Sequence, residues 1–248
     1  MSFGGIAADY DRLRPGPAPA AVDWLLPARR DVVVDLGAGT GLLTRAVAAA
    51  AGHVIAVEPD DRMRAVLAGR SPGVEVLAGR GEAIPLPDAS ADAVLVSSAW
   101  HWMDADLAAP EIARVLRDGG RFGVIWTGRE RTPWLRTGEW FETDHRGQDR
   151  DPTAADLATP RGRQVALPDP VLFRNIETET FQFTRRMSIA DLVEWLTTYS
   201  HVITASEEVK AAGRARGTAA LAAQFPGAAE IEVPMRSRCW RADRAPRS

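Results

Sequence analysis

Apolar runs of strand length alternate along the chain with stretches whose apolar positions recur at helical spacing. The strand-like runs are "DVVVDL" at 31–36, "HVIAVEP" at 53–59, "VEVLAG" at 74–79, "ADAVLVSSA" at 91–99 and "RFGVIWT" at 121–127. Between them lie "LLTRAVAAAA", "DRMRAVLAG" and "DLAAPEIARVLRD", with apolar residues at helical spacing such as Leu107, Ile112, Val115 and Leu116. Strand and helix in strict alternation predict an α/β fold, with a parallel sheet, right-handed crossovers and helices on both faces. "RDGG" at 117–120 reads as the end of a helix, with glycine in the left-handed position before the next strand.

After Thr127 the rhythm gives way to a stretch rich in charge, proline and aromatics, read as an insertion over 128–170 that passes across the sheet. Order returns with a strand over 177–188 in which Phe181 and Phe183 alternate, then a helix capped by Ser188, a helical stretch about 205–223 and a closing strand over 230–240. The tail beyond Trp240 is expected to fray. The working division is 1–30 as an N-terminal segment, which the family resemblance given below makes a helical lid, 31–127 as the core, 128–170 as the insertion and 171–248 as the part that completes the sheet, all in one domain.

Composition narrows the function classes. The chain of 248 residues is 46% hydrophobic and 25% charged, ordinary for a globular protein with a sizeable core. A net charge of −3 argues against a nucleic-acid surface. Of the basic side chains only Lys210 is not arginine, a bias read as compositional. The single cysteine, Cys239, excludes an internal disulfide and a cysteine zinc cluster, and fits a cytoplasmic setting. Neither a signal peptide nor an apolar run of membrane-spanning length is visible, so membrane association is not expected.

The candidate chemistry gathers where the strands end. Asp35, Gly37, Gly39 and Gly41 form D-x-G-x-G-x-G at the end of the first strand. Glycines there allow a sharp turn and a close approach of ligand to backbone. The dinucleotide fingerprint G-x-G-x-x-G is not met, because Leu42 stands where its third glycine belongs. Glu58, twenty-three residues after Asp35, sits at the tip of the second strand, where a carboxylate can accept both hydroxyls of a ribose. Gly81 and Glu82 cross the same sheet edge before the fourth strand, where backbone groups can read an adenine edge.

"VVDLGAGTG", "AVEPD", "GEAIPLPDASADAV", Trp100-His101-Trp102 and "EIARVLRDGGRFGVIW" resemble the successive motifs of class I S-adenosylmethionine-dependent methyltransferases. More narrowly they resemble the bacterial branch related to trans-aconitate methyltransferases, and "AADYDRLRP" is similar to that branch's N-terminal lid. The resemblance covers roughly residues 1–127. It implies a Rossmann-like sheet of seven strands with the last antiparallel, and S-adenosylmethionine as cofactor. It places Asp35 near the methionine portion, with Gly37, Ala38, Gly39 and Gly41 as the floor. Glu58 would hold the ribose, Pro59 and Met63 would flank the adenine, Gly81 and Glu82 would read its edge, and Ser98 would line the floor at strand four. Tyr10 and Arg14 would close over the cofactor, Arg14 toward its carboxylate. Arg80 departs from the family, many of whose members carry an acidic residue there for the adenine amino group.

For methyl transfer the protein's main task is alignment in a dry pocket, with a base needed only if the nucleophile must lose a proton. His101, just past strand four, is the candidate base, although it can equally be a pocket-lining residue. Trp100, Trp102, Trp126 and Trp134 are candidate substrate contacts, and Arg129, with Arg131 and Arg136, can bind a carboxylate, whose own oxygen needs no base. Each is also a plausible packing or surface residue. No spacing suggests a metal site. The expected partner is a small-molecule acceptor, methylated on a carboxylate or hydroxyl oxygen by a monomer or homodimer. Two rival readings remain at this point: a nicotinamide-dependent oxidoreductase, and a non-catalytic protein that keeps the fold and binds the cofactor.

Overall fold

The computed structural model describes residues 7–142, 165, 167 and 169–246. Its centre is a sheet of seven strands in the order β3-β2-β1-β4-β5-β7-β6. The first five, β1 (Val32–Leu36), β2 (His53–Val57), β3 (Glu75–Leu77), β4 (Ala91–Ser97) and β5 (Leu116–Arg129), pair in parallel. β7 (Ile231–Arg244) runs antiparallel to both its neighbours, β5 and β6 (Phe173–Met187). This is the Rossmann-like α/β sheet with an antiparallel last strand that the sequence leads one to expect.

Why the parallel strands form is visible in their burial. Val33, Val54, Ala93, Leu95 and Ile125 face one apolar cluster, while Val34, Ile55, Val57, Val94, Val96, Phe122 and Val124 face another. Successive residues thus enter cores on opposite faces, which is why these strands read as continuous apolar runs and not as alternating ones. Helices α2 (Pro19–Leu25) and α3 (Leu42–Ala48) cover the first face, and α5 (Ala105–Val115) the second. α4 (Asp61–Arg70) starts at Asp60, whose carboxylate accepts the Arg62 and Met63 amides. No helix among the described residues is long and apolar enough to cross a membrane.

A third cluster caps the β6–β7 end of the sheet. It joins Leu13 of α1 (Ala7–Leu13), Trp140 and Phe141 of α6 (Thr137–Phe141), the helix Ile189–Thr197, the helix Glu207–Gln224 and the ends of β6 and β7. Ser188 caps the first of these long helices as expected, its hydroxyl accepting the Asp191 amide at 3.0 Å. The second contributes a groove: a Cβ on Gly213 would lie 2.3 Å from Phe141, and one on Gly217 2.9 Å from Trp140. Two aromatic rings therefore rest directly on helix backbone.

Two expectations are corrected. α5 ends at Val115, not within Arg117–Gly120; Leu116 already pairs with Ala91, and Gly119, at φ 74°, turns inside a bulge before pairing resumes at Ala93 and Arg121. The reason is burial, since Leu116 is wholly enclosed and strand pairing satisfies a backbone that a longer helix would carry away. The chain does not fray directly after Trp240: Ala242 and Asp243 pair with β5, and Arg244 pairs with Phe173. The insertion expected over 128–170 begins within β5, and its residues 143–164, 166 and 168 lie outside the described residues, as do 1–6 of the lid.

Candidate active site

β1, β2 and β4 end side by side, and the turn after β1 lies across their tips. The Gly37 and Ala38 amides both donate to the Val57 carbonyl of β2, at 2.8 and 3.1 Å. All three glycines take positive φ, 69°, 58° and 89°, which L side chains rarely adopt. Their surroundings differ. A Cβ on Gly37 would lie 2.8 Å from the Ala99 Cβ, and one on Gly41 3.0 Å from Leu67, so these two make room for neighbouring protein. At Gly39 a Cβ would meet nothing within 4 Å. Of the three, Gly39 is the glycine that faces open space.

Two carboxylates flank this turn. Asp35 is completely buried; its Oδ2 accepts the Thr44 hydroxyl at 2.6 Å, while Oδ1 has no partner. Burial pushes its pKa up to about 7, against the opposing pull of the Thr44 hydrogen bonds. An orphaned, desolvated carboxylate oxygen is the complement of a cationic group such as the ammonium of a methionine moiety. Glu58 is buried too: Oε2 accepts the Gly39 amide at 2.8 Å and Oε1 the Asp60 amide at 2.9 Å. Burial raises its pKa while those amides lower it. Each oxygen keeps lone-pair capacity for a hydroxyl, and the backbone bonds hold the carboxylate in place.

The other expected cofactor contacts take varied positions. Met63 is buried in α4, and Pro59 is exposed with its carbonyl accepting Arg64 Nη1 at 2.7 Å. Gly81 is buried against Met103, whose Sδ would be 2.6 Å from a Cβ there. Glu82 Oε1 accepts the Asp104 amide at 2.8 Å, and Arg80 is exposed. Ser98 adopts φ 54°, an unusual conformation for serine at the tip of β4, and its amide donates to Ile125 at 2.9 Å. Arg14 lies between the rings of Tyr10 and Tyr199, 4.9 and 4.8 Å from their centroids, and donates to the Thr198 hydroxyl and carbonyl. Its hydrogen bonds tie the lid to the cap.

The candidate substrate residues divide. Trp100 is core, 5.2 Å from Phe122 ring to ring, and Trp134 packs edge-on against Phe225 in the cap. His101 and Trp102 are exposed on a 3-10 turn, Trp100–Trp102, with their rings 4.9 Å apart. Trp126, near the end of β5, is buried with its indole N–H unpartnered, and Arg129 donates to Thr137 at 2.9 Å. Among the described residues no cluster suited to a metal ion occurs. Sequence reasoning missed Thr44, Met103, Asp11 and Arg45. Of these only Thr44, one turn into the helix after the glycines, stood where a reader of the motif could have looked.

Residues 34–124 match the family model described as a methyltransferase domain. An uncharacterized methyltransferase of Mycobacterium tuberculosis is 42% identical over 212 residues, 85% of this chain and 81% of its own length. The chain belongs to the class I methyltransferases. Its resemblance extends through the fold: a structure from Anaeromyxobacter dehalogenans, described as a type II methyltransferase, superposes with a TM-score of 0.71 at 26% identity, covering 94% of this chain and 99% of that one. Phosphoethanolamine N-methyltransferase 2 of Haemonchus contortus, solved with S-adenosyl-L-methionine, shares the fold at a TM-score of 0.53 and 14% identity, over 99% of this chain and 60% of that one. This methyltransferase uses S-adenosylmethionine as its cofactor, and the orphaned Asp35 oxygen, the open face of Gly39 and the anchored Glu58 carboxylate fit that group. The oxidoreductase reading and the non-catalytic reading both fall with the assignment.

Proposed function

We propose that the enzyme methylates an oxygen of a small molecule, a carboxylate or hydroxyl, at the tips of β4 and β5. The observation that carries the reading is the indole N–H of Trp126, buried without a partner near the end of β5. A buried donor left unpaired is costly, and an acceptor oxygen from a substrate is its natural complement. Arg129, three residues on, lies on the opposite face of the strand and donates to Thr137 at 2.9 Å.

The division of labour follows from the side chains. Glu58 and the Gly39 backbone hold the ribose end, while Asp35 takes the ammonium of the methionine end through its unpartnered oxygen. The strained Ser98 tip forms the floor between them, with Gly81 and Glu82 toward the adenine and Tyr10 and Arg14 above. S-adenosylmethionine supplies, when bound, a methyl carbon already activated by its sulfonium. The residues around it need only orient an oxygen lone pair in line with the methyl–sulfur bond and exclude water. A carboxylate is deprotonated at neutral pH and requires no base, consistent with His101 standing exposed beside Trp102. For a hydroxyl acceptor His101 is the group to accept the proton. A small acceptor is in keeping with the resemblance of residues 1–127 to the branch related to trans-aconitate methyltransferases.

Calorimetric titration with S-adenosylhomocysteine and NADH, with Glu58→Ala as control, tests the cofactor site. An acceptor screen beginning with carboxylic acids and phenols, read by mass spectrometry, tests the chemistry. Binding of the sulfur nucleoside, abolished by Glu58→Ala, together with methyl ester or ether formation, is the expected result. Transfer to amines or thiols alone would overturn the oxygen reading, and binding of NADH alone would overturn the cofactor assignment as well.

A further inference from the structure

α1 lies between α4 on one side and the helix Ile189–Thr197 on the other. On the cap side it is fixed by Leu13, buried in the cap cluster, and by Arg14 on Thr198. On the other side the contact is electrostatic and unusually well enclosed. The Asp11 side chain is only 7% exposed, with Arg45 Nη2 at 2.6 Å from one oxygen and Arg70 Nε at 3.8 Å from the other. The same Arg45 guanidinium donates through Nη1 to the Thr40 carbonyl at 2.9 Å. Thr40 sits between Gly39 and Gly41, so one side chain grips the lid with one nitrogen and the glycine turn with another.

We propose that Asp11 and Arg45 are positioning residues that make closure of the lid helix and retention of the cofactor a single coupled event. The inference rests on the glycine turn being the cofactor site. A fork-shaped guanidinium is suited to this, because its donors are rigidly related and moving one partner displaces the other. Moving α1 away breaks the enclosed Asp11–Arg45 pair and frees the guanidinium that also holds the Thr40 carbonyl, so the helix and the turn are linked through one side chain. Linkage then requires reciprocity: whatever the lid adds to cofactor affinity, the cofactor adds to lid closure.

The test compares wild type, Asp11→Ala, Arg45→Ala and Arg45→Lys by calorimetric titration with S-adenosylhomocysteine and by amide exchange of residues 7–14. In wild type, ligand should slow exchange of α1 together with that of the glycine turn. Asp11→Ala should leave α1 fast with or without ligand and weaken binding about tenfold, although Asp11 reaches the turn only through Arg45. Arg45→Ala should do at least as much, the double variant no more than Arg45→Ala, and Arg45→Lys should recover part of the loss. Fast α1 exchange in Asp11→Ala with unchanged affinity would overturn the proposal, as would wild-type exchange indifferent to ligand. Failure of wild type to bind at all would overturn the cofactor site itself. That outcome is distinguishable, because unliganded exchange in wild type and Asp11→Ala still reports whether the tether exists.

Discussion

The parallel half of the sheet and the cap over its β6–β7 end are built on opposite principles. In the sheet, large side chains on two faces of β1, β2, β4 and β5 fill layers against helices. In the cap, the helix Glu207–Gln224 presents Gly213, Gly217 and Leu221 as its buried positions, and α6 supplies the aromatic rings that fill the groove. The first arrangement draws its stability from apolar area shared among many residues. The second adds to an apolar cluster of its own two close approaches of aromatic ring to helix backbone. Cores of the first kind bend under substitution, whereas contacts of the second kind are shut out by a single methyl group.

The largest effect should come from the sheet. Phe122 is fully buried, with the rings of Trp100, Phe173 and Trp240 5.2, 5.4 and 5.2 Å away. Phe122→Ala should cost about 3–5 kcal/mol and lower Tm by roughly 10 °C in a single transition seen by both calorimetry and circular dichroism. Two separated transitions would mean that the sheet and the cap unfold independently. Next comes Gly213→Ala, which should cost about 1–3 kcal/mol by displacing Phe141. Its effect should be confined to the cap, with S-adenosylhomocysteine affinity kept, and Phe141→Leu in the same chain should restore part of the loss. If Gly213→Ala is silent in thermal melts, the groove is not the tight contact described.

Asp35 tests the sheet's functional edge through pH. Its carboxyl ionises at 3.8 when unfolded and at about 7 when folded. The folded chain therefore holds this proton more tightly than the unfolded chain. Between about pH 4 and 7 the residue should lower stability as pH rises, with no further change above about 7. The difference in Tm between wild type and Asp35→Asn, measured across that range, should follow this sign. Ligand affinity should move the other way, rising several-fold from about pH 6 to 8 as Asp35 ionises opposite a cationic group, with the rise absent in Asp35→Asn. The smallest effect belongs to the exposed pair Arg186–Glu232, 3.0 Å apart with side chains 73% and 63% exposed; Arg186→Ala should shift stability by less than about 0.5 kcal/mol.

The same contrast explains what the sequence made legible. β-branched runs such as "VVV" at 32–34 announce doubly covered strands because consecutive side chains are apolar, and the glycine turn and Glu58 announce themselves by type and position at strand ends. The cap helix was legible as a helical stretch about 205–223, but its buried face gave no such signal. Its buried stripe is glycine at two of three turns, and hydrophobic periodicity registers large side chains, not the absence of them. The boundary of α5 was misplaced for a related reason: "RDGG" is a good helix ending, but pairing of Leu116 with Ala91 outweighs it. Within the site, Met103 against Gly81 and Asp11 on Arg45 join residues far apart in sequence, and only the fold brings them into contact.

The antiparallel strand also sets an order in time. Among the described residues β6 is bonded in the sheet only to β7, and β7 is translated after it. A growing chain that has made residues 173–187 holds a fifteen-residue strand with nowhere to dock, and a sheet whose β5 edge stands open. Both are resolved at one moment, when residues 231–244 emerge and slide between them. Until then the bare β5 edge is of the kind that pairs with other chains, and a chaperone that shields it would protect the growing chain.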